Sequence, residues 1–311
     1  MVESSGRLAA QLPKRRFGRL GWEMCPVSLG GAWLAGRSGE PRSFERAVKL
    51  VQDAVALGIE YIDTSINYGD SELYIGAALR AIPAEQHPRI ATKSRVIKPD
   101  APTAEGVYAS CLASLERLGL ARVDLFQLHE AECYGFERIV GPGGALEGLR
   151  RCRDEGLCLG IGVTGRPPAL LARLVDTGEF DSVLTYLEYD LATAAATDEL
   201  LPAAVRHDVA VIAASPARMG MFAGDGLLQR WEQQPEPVRS MRARLEALFA
   251  RPVGQMADLS ARYLWSDERV AQINVGSSRL DSLLSTVRAV LAGPLEPAAL
   301  AQVRAWQGWR G

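Results

Sequence analysis

The fold is decided by the stretch Ile59-Glu-Tyr-Ile-Asp-Thr-Ser-Ile-Asn-Tyr-Gly-Asp-Ser-Glu72. It predicts a short buried strand that ends in a polar turn, because the apolar run gives way to Asp, Ser, Asn and Gly. The turn carries the carboxyl group of Asp63 and the phenol of Tyr68, and a helix start is predicted at Ser71. A strand end that delivers two ionisable groups to one place is typical of a catalytic site on a rigid element.

Strand-like and helix-like segments alternate along the chain after a short N-terminal β-hairpin predicted within residues 14–31. Alternation of this kind indicates a parallel sheet with crossover helices, and eight such units close into a barrel. A doubly wound open sheet is the alternative, but it calls for a GxGxxG turn after an early strand, which the sequence lacks there. We therefore predict an α/β protein with a (β/α)8 TIM barrel. The predicted strands are 26–30, 59–64, 89–93, 123–129, 158–164, 181–187, 209–215 and 270–276, and the predicted helices are 43–57, 71–81, 103–118, 144–155, 168–176, 197–206, 239–251, 253–265 and 279–291.

Length and composition fit a single globular domain. The chain has 311 residues, 48% of them hydrophobic, and a formal net charge of -2. This charge gives no reason to expect nucleic acid or an anionic membrane as a partner, and no apolar stretch is long enough to cross a bilayer. We predict a flexible N-terminal tail at 1–13 and one catalytic barrel at 14–311. Scattered cysteines without CxxC spacing, and no signal-peptide core, favour a cytoplasmic protein with reduced thiols.

Two later strands also end on ionisable side chains. The third predicted strand ends on Lys93 and the fourth on His129. Neighbouring parallel strands lie about 5 Å apart, and their carboxyl ends meet at one open end of the barrel, which we call the mouth. The four side chains at this end are therefore predicted to surround one point; they are Asp63, Tyr68, Lys93 and His129. Lys93 is expected to lower the pKa of the Tyr68 phenol and Asp63 to hold the lysine, while His129 orients a substrate oxygen. No HExxH spacing accompanies His129, so we predict no metal site.

These strand ends resemble the aldo-keto reductase family. The runs that carry the resemblance are Asp63-Thr-Ser-Ile-Asn-Tyr68, Ala91-Thr-Lys-Ser94 and Phe126-Gln-Leu-His129, and the similarity extends over nearly the whole chain. The resemblance implies that the Asp, Tyr, Lys and His at these strand ends form the family's catalytic tetrad. It also implies a nicotinamide-dependent oxidoreductase that moves hydride between the cofactor and a carbonyl or alcohol carbon.

Two further runs are similar to one branch of that family. Gly160-Ile-Gly-Val-Thr-Gly165 and Ala214-Ser-Pro-Ala-Arg-Met-Gly-Met221 look closest to the L-galactose and D-threo-aldose (L-fucose) dehydrogenases. The branch implies oxidation of a sugar at its anomeric carbon with a nicotinamide cofactor. We predict that the protein is a monomer or a weak homo-oligomer. Three alternatives stay open. They are a carbonyl reductase acting on a secondary-metabolite ketone or aldehyde, a non-catalytic redox-sensing subunit that binds the cofactor, and a sugar-binding barrel without cofactor.

Cofactor positions are predicted mainly at the ends of the fifth, seventh and eighth strands. A TIM barrel binds phosphate near its last two strands, and hydroxyls, backbone amides and a helix N-terminus suit a pyrophosphate. The resemblance places Thr164-Gly165 where the family often has Ser-Asn, which holds the nicotinamide carboxamide. The predicted cofactor-binding residues are Gly31, Thr164, Gly165, Ser215, Arg218, Gly220, Gly276, Ser277, Ser278, Arg279 and Ser282.

The chain departs from the family pattern where the adenosine is held. The usual Gln, Glu and Asn of the last helix map onto Ser282, Ser285 and Thr286, and the aromatic residue that often stacks on nicotinamide is Ala214. Arg279 could pair with a 2′-phosphate, which leans towards NADP(H), whereas the sugar-dehydrogenase branch tends towards NAD(H).

Aromatic and thioether side chains after three strands are predicted to form the substrate pocket. Flat apolar surfaces of this kind stack on sugar faces or other rings. The predicted pocket residues are Trp33, Tyr134, Phe136, Met221 and Phe222.

Overall fold

The architecture is a closed parallel barrel surrounded by helices, as predicted. The computed structural model describes residues 8–37, 40–41, 43–95, 103–224 and 231–309. The strands are β1 (Arg15–Phe17), β2 (Trp22–Met24), β3 (Val27–Gly30), β4 (Gly36–Arg37), β5 (Glu40–Pro41), β6 (Tyr61–Asp63), β7 (Arg89–Lys93), β8 (Val123–Leu128), β9 (Cys158–Gly165), β10 (Ser182–Tyr186), β11 (Ala210–Ala214) and β12 (Val270–Gly276). Strands β3 and β6 to β12 follow one another around the barrel with parallel pairing, and β12 pairs with β3. The closed barrel excludes the doubly wound alternative.

Helices connect the barrel strands and cover the outside of the barrel. They are α1 (Phe44–Leu57), α2 (Ser71–Arg80), α3 (Ala104–Leu118), α4 (Phe136–Val140), α5 (Ala145–Asp154), α6 (Pro168–Val175), α7 (Leu200–Arg206), α8 (Glu236–Arg239), α9 (Met241–Phe249), α10 (Ala257–Trp265), α11 (Leu280–Leu291) and α12 (Pro297–Gln307). Helices α4, α8 and α12 are not predicted from the sequence. A signal for α12 is present, since Pro297 stands at its first position and Gly308 follows its end with φ 64°.

Local capping fixes where two of the connecting helices begin and end. Ser43 Oγ accepts a hydrogen bond from a backbone N–H in the first turn of α1 at 3.4 Å, and Thr103 Oγ1 does the same for α3 at 3.0 Å. Gly58 and Gly119 end these helices with φ of 100° and 69°, a conformation that glycine adopts without strain. Each helix therefore returns the chain directly to the next strand.

The N-terminal hairpin closes one end of the barrel. Strands β1 and β2 pair antiparallel, and Phe17 and Met24 join a buried cluster with strand residues that include Tyr61, Leu125 and Ile212. The ring centres of Phe17 and Tyr61 are 5.6 Å apart. The opposite end, where the strands finish, is consequently the end that is left for a site.

Part of the predicted N-terminal tail is packed against the barrel. Residues Leu8–Gln11 form a short 3-10 helix, and Ala9 and Leu12 are buried in the main core. Residues 1–7 of that tail and residues 225–230 of the loop after β11 lie outside the described residues, and the domain boundaries stay a prediction. None of the helices in the described ranges has the length and apolar character that crossing a membrane requires.

Candidate active site

The carboxyl ends of three neighbouring strands bring the predicted catalytic side chains together. Asp63 is the last residue of β6, Lys93 is the last residue of β7, and His129 directly follows β8. Because β7 pairs with both β6 and β8, these side chains leave from adjacent positions. Tyr68 lies in the turn between β6 and α2, and its phenol reaches His129. All four predicted residues therefore meet at the open end of the barrel.

Lys93 and Asp63 form an almost completely buried ion pair, with side-chain exposures of 1% and 3%. The lysine Nζ is 2.5 Å from Oδ2 of the aspartate and also donates to the backbone oxygen of Thr64 at 2.7 Å. The aspartate accepts further hydrogen bonds from the side-chain amides of Gln127 at 2.9 Å and Asn274 at 3.4 Å. Such hydrogen bonds offset the loss of hydration that burial of two charges entails, so the pair has a defined position.

The phenol of Tyr68 and the imidazole of His129 face each other. Tyr68 Oη lies 3.4 Å from His129 Nε2, and the two ring planes are at 84°. Ser65 Oγ lies 3.1 Å from His129 Nδ1 and accepts a hydrogen bond from the backbone N–H of Asn67. Since this oxygen already accepts from Asn67, its own proton can be donated to Nδ1. That arrangement favours the tautomer that carries its proton on Nε2, the nitrogen that faces the phenol.

The pKa of the phenol differs from the expectation drawn from the sequence. Burial raises the pKa of Tyr68 above its ordinary value of 10.0; the charge of Lys93 lowers it, but by less, and Asp63 raises it further. For Lys93, burial lowers the pKa, but the neighbouring Asp63 and Tyr68 together raise it above 10.5. At neutral pH the lysine is therefore charged and the phenol protonated. The predicted net lowering of the phenol pKa is wrong, because desolvation outweighs the nearby positive charge.

Three residues that complete this centre are missing from the sequence prediction. Gln127 and Asn274 hold the carboxylate of Asp63, and Ser65 holds the imidazole of His129. A signal exists for Gln127, because it lies two residues before the histidine and alternation along a strand puts both on one face. Asn274 comes from β12, which is too distant in sequence for spacing to reveal the contact.

The loop after β11 buries one predicted cofactor residue. Arg218 is 3% exposed, and its guanidinium forms an ion pair with Asp190 and contacts Oε1 of Gln234. The predicted contact of Arg218 with a pyrophosphate does not fit this arrangement, because a buried charge is committed to its counter-ion. Ser215 and Gly220 lie in the same loop with φ of 59° and 91°, and their predicted cofactor role stays a prediction.

The end of β12 presents a turn that leads into a helix start. Gly276 ends the strand, and Ser277, Ser278 and Arg279 precede the first residue of α11. Ser277 Oγ accepts the backbone N–H of Arg279 at 2.9 Å, whereas no side chain of the described residues caps α11. Arg279 is exposed, and Ser282 is half-buried in the first turn. Free helix amides, hydroxyl groups and a cation suit an anionic phosphate.

Glycines and a threonine line the strand ends on the two sides of the tetrad. A side chain at Gly31 would have its Cβ 2.6 Å from Ser71 Oγ, so the close packing after β3 requires glycine. Thr164 is buried, and its hydroxyl accepts a hydrogen bond from the backbone N–H of Glu130 at 3.4 Å. Gly165 ends β9 beside it. The structure thus places these residues at the mouth, and their contact with a cofactor stays a prediction.

Two predicted pocket residues belong to the core instead. Met221 and Phe222 are 3% and 0% exposed, and the Phe222 ring packs against Trp231 at 5.8 Å between ring centres. Their assignment to the pocket wall does not fit, because the segment that follows the loop folds over them. Tyr134 is also buried, at 8% exposure.

The remaining two pocket residues differ in their surroundings. Trp33 lies close to the end of β12, since a Cβ at Gly276 would be 3.2 Å from its Cδ1. Phe136 begins α4, and the guanidinium of Arg173 from α6 stacks on its ring at 4.2 Å. Trp33 therefore flanks the mouth, whereas Phe136 is engaged with an outer helix.

A separate open cleft of about 550 Å³ lies at the hairpin end of the barrel. It is remote from the tetrad. Two of its lining residues, Arg89 and Asp124, form an ion pair, and its Glu60 pairs with the neighbouring Lys14. Within the described residues, no group of three or more His, Cys, Asp or Glu side chains is arranged to hold a metal ion. The tetrad end is therefore the better candidate for chemistry.

Comparison with known proteins identifies the family. The sequence model of the Aldo/keto reductase family matches residues 26–307. The chain belongs to the aldo/keto reductase family. Members are generally NAD(P)-dependent oxidoreductases, and the resemblance inferred from the strand ends is confirmed.

Two curated relatives of this aldo/keto reductase are sugar dehydrogenases. L-galactose dehydrogenase of Arabidopsis thaliana is 30% identical over 286 residues, which cover 89% of this chain and 87% of the relative. D-threo-aldose 1-dehydrogenase of Pseudomonas sp is 25% identical over 280 residues, covering 80% and 84%. The solved holo form of an aldo-keto reductase from Bacillus halodurans has a TM-score of 0.74 at 21% identity, over 95% of this chain and 96% of that one. This likeness confirms the fold.

The residues of the mouth fit a nicotinamide dinucleotide at its phosphate end. The uncapped start of α11 with Ser278 and Arg279 offers donors and positive charge to a phosphate. At the predicted adenosine end, Thr286 is buried and donates its hydroxyl proton to the backbone oxygen of Ser282 at 3.1 Å, so this hydroxyl offers no donor to an adenine. The end of β11 carries Ala214, which provides no ring for stacking.

Proposed function

We propose that this aldo/keto reductase is an NAD(P)-dependent aldose 1-dehydrogenase, which oxidises the anomeric carbon of a neutral sugar. The observation that carries the proposal is the phenol of Tyr68, 3.4 Å from the imidazole of His129 and beside the buried ion pair of Lys93 and Asp63. The two sugar-dehydrogenase relatives, which span most of the chain, support the choice of substrate class.

Tyr68 exchanges the proton of the reacting oxygen. In the oxidation direction its phenolate takes the proton of the sugar hydroxyl, and in the reverse direction the phenol returns it. Lys93 stays protonated and stabilises the phenolate through its charge, since its Nζ is 5.0 Å from the centre of the phenol ring. Asp63 keeps that charge in place. The bound cofactor accepts or supplies the hydride.

His129 orients the reacting oxygen. With Nδ1 accepting a hydrogen bond from the hydroxyl of Ser65, the proton on Nε2 points to the side where Tyr68 Oη lies. A substrate oxygen placed between these two groups receives one hydrogen bond from the imidazole and exchanges its proton with the phenol. Two directional contacts of this kind fix the oxygen and hold the carbon that bears it in a defined position.

The proposal is tested by Tyr68→Phe, which removes the exchangeable proton and keeps the ring. We expect turnover of L-galactose and L-fucose to fall at least about 100-fold, because one general acid–base group is lost. Cofactor affinity, measured by quenching of tryptophan fluorescence, should stay unchanged. Tyr74→Phe in α2 is the matched control, since its ring packs on Phe44 away from the tetrad. Turnover near the wild-type value in Tyr68→Phe would contradict the mechanism.

Cofactor preference is proposed to lean towards NADP(H) through Arg279. This exposed arginine precedes α11, where a 2′-phosphate and a guanidinium can pair. Titration of wild type and Arg279→Ala with both NAD and NADP tests the idea. We expect the dissociation constant for NADP to rise up to about fivefold and that for NAD to change little. An equal rise in the dissociation constants of both cofactors would show that Arg279 does not recognise the 2′-phosphate.

Carbonyl reduction is the second candidate, and the raised pKa of Tyr68 favours it. A phenol that stays protonated at neutral pH is ready to donate its proton to a carbonyl oxygen. A panel that compares oxidation of L-galactose and L-fucose with reduction of ketones and aldehydes decides between the two. Higher kcat/KM for the carbonyl compounds would make this chain a reductase.

A further inference from the structure

A carboxylate from one loop reaches over the ends of the next two strands of the barrel. Glu132 lies in the short turn Ala131–Cys133 that follows His129. Its Oε2 accepts the backbone N–H of Arg166, which follows β9, at 3.0 Å. Its Oε1 accepts a hydrogen bond from the phenol of Tyr186, the last residue of β10, at 3.3 Å. The carboxylate is thus held beside the strand that neighbours the histidine strand.

The carboxylate of Glu132 fits in place because residue 165 is a glycine. A Cβ built on Gly165 would lie 2.1 Å from Oε2 of Glu132, and φ of this glycine is 148°, which a residue with a side chain rarely adopts. The carboxylate therefore occupies the space that a side chain at the end of β9 would take. The polar group at this point of the mouth comes from the loop after β8 instead of from β9 itself.

The carboxylate has acceptor capacity left for a ligand. A carboxylate offers about four lone-pair positions, and the described residues use two of them. Glu132 is exposed, whereas Arg166 directs its Nε to Glu188 instead. Burial raises the pKa of Tyr186, helped by nearby Glu132 and Glu130, so this phenol remains a donor to the carboxylate. Two lone-pair positions of Glu132 are thus left for a ligand.

We propose that Glu132 is a cofactor-binding residue that accepts a hydrogen bond from the carboxamide NH2 of the nicotinamide. This inference rests on the proposed function. The carboxamide is attached next to the reacting carbon of the ring, and that carbon must approach Tyr68 and His129 to exchange hydride with a substrate. The carboxamide then lies beside a strand that neighbours the tetrad. On the β9 side, Glu132 is the exposed acceptor at that position, and its charge would repel the anionic pyrophosphate.

The test compares cofactors that differ only in this donor. The dissociation constant is measured by tryptophan fluorescence for the nicotinamide dinucleotide and for its 3-acetylpyridine analogue, which has no NH2. We expect wild type to bind the amide form about tenfold more tightly, as one charge-assisted hydrogen bond allows. In Glu132→Ala the ratio of the dissociation constants for the two cofactors should fall to near unity. Glu137→Ala is the control. It removes an exposed carboxylate five residues further on and should keep the tenfold preference for the amide form.

Several outcomes would overturn the inference. An unchanged preference in Glu132→Ala would show that the carboxylate does not meet the carboxamide. A raised KM for the sugar with an unchanged preference would assign the donor to a sugar hydroxyl. Should the alanine variant fail to fold, Glu132→Gln keeps the side-chain length and loses the charge, and we expect it to reduce the preference at least threefold; no reduction would overturn the inference. Absence of dinucleotide binding to wild type would contradict the proposed function itself.

Discussion

At the scale of single residues, the chemistry of the mouth depends on a balance between burial and one positive charge. Lys93 lies beside the phenol of Tyr68 and lowers its pKa, yet burial raises that pKa by more. The lysine itself stays charged because Asp63 is in contact with it. The phenol is therefore protonated at neutral pH, where it can donate its proton, and it becomes a base only in alkaline solution.

This balance predicts the pH dependence of the reaction. Oxidation uses the deprotonated phenol, so a pKa raised above 10.0 moves the rise of kcat/KM to higher pH. We expect kcat/KM for sugar oxidation to keep increasing from about pH 7 to about pH 10. Carbonyl reduction uses the protonated phenol, and its kcat/KM should stay level over that range.

Lys93→Met is the matched variant for the pH series. It removes the positive charge that opposes the effect of burial, so the pKa of Tyr68 should rise further and the oxidation profile should shift to still higher pH. A shift towards lower pH would show that the lysine charge does not act on the phenol.

At the scale of elements, helix packing on the barrel leaves no room for a methyl group at one contact. Gly76 in α2 faces the end of α3, and a Cβ there would lie 2.4 Å from the backbone oxygen of Leu118. Helices that approach so closely through their backbones cannot separate without disturbing the strands beneath them.

Gly76→Ala should therefore destabilise the protein although alanine is the better helix former. Replacing glycine by alanine gains about 1 kcal/mol in helix propensity, whereas overpacking against a backbone oxygen costs about 1–3 kcal/mol. We expect a net loss of about 1 kcal/mol in the free energy of unfolding, measured with urea. Gly106→Ala is the control, because its Cβ would meet only Thr103 Oγ1 at 3.1 Å. A more stable Gly76→Ala protein would contradict the packing argument.

The strands and most helices follow from the sequence because their patterns are local. The fourth barrel strand, predicted at 123–129, is Val123–Leu128, since alternation and the polar strand end lie within a few residues. Contacts between distant segments do not follow in this way. The ion pair of Arg218 with Asp190 spans 28 residues, and the burial of Phe222 depends on Trp231. Asp63, Lys93 and His129 follow because each lies at or next to a strand end, and Tyr68 follows because it lies in the polar turn after such an end. The contacts of the cofactor loops do not follow from the sequence.

At the scale of the whole molecule, the hairpin and the tetrad occupy opposite ends of one barrel. Phe17 and Met24 fill the end where the strands begin, and Asp63 and Lys93 lie where they finish. In barrel enzymes the first end serves stability and the second serves chemistry. The two functions of the barrel can therefore be altered separately.

Phe17→Ala tests this separation. The ring is completely buried against Trp22 and Tyr61, so its removal should lower the free energy of unfolding by about 3 kcal/mol. KM and kcat of the folded enzyme should stay within about twofold of wild type, since the tetrad is at the other end. Phe44→Ala is the control, because that ring is 48% exposed. A selective loss of kcat in Phe17→Ala would link the hairpin to the chemistry.

The burial of Lys93 also governs how the protein responds to amine-directed reagents. The chain has four lysines, of which Lys98 lies outside the described residues. Lys14 and Lys49 have side-chain exposures of 38% and 69%, whereas Lys93 is 1% exposed and kept protonated by Asp63. Acylating dyes and amine-coupled supports attack exposed, neutral amines, so they will react at the first two and spare the third. The enzyme can thus be tethered or labelled through its lysines with its proton-transfer centre intact.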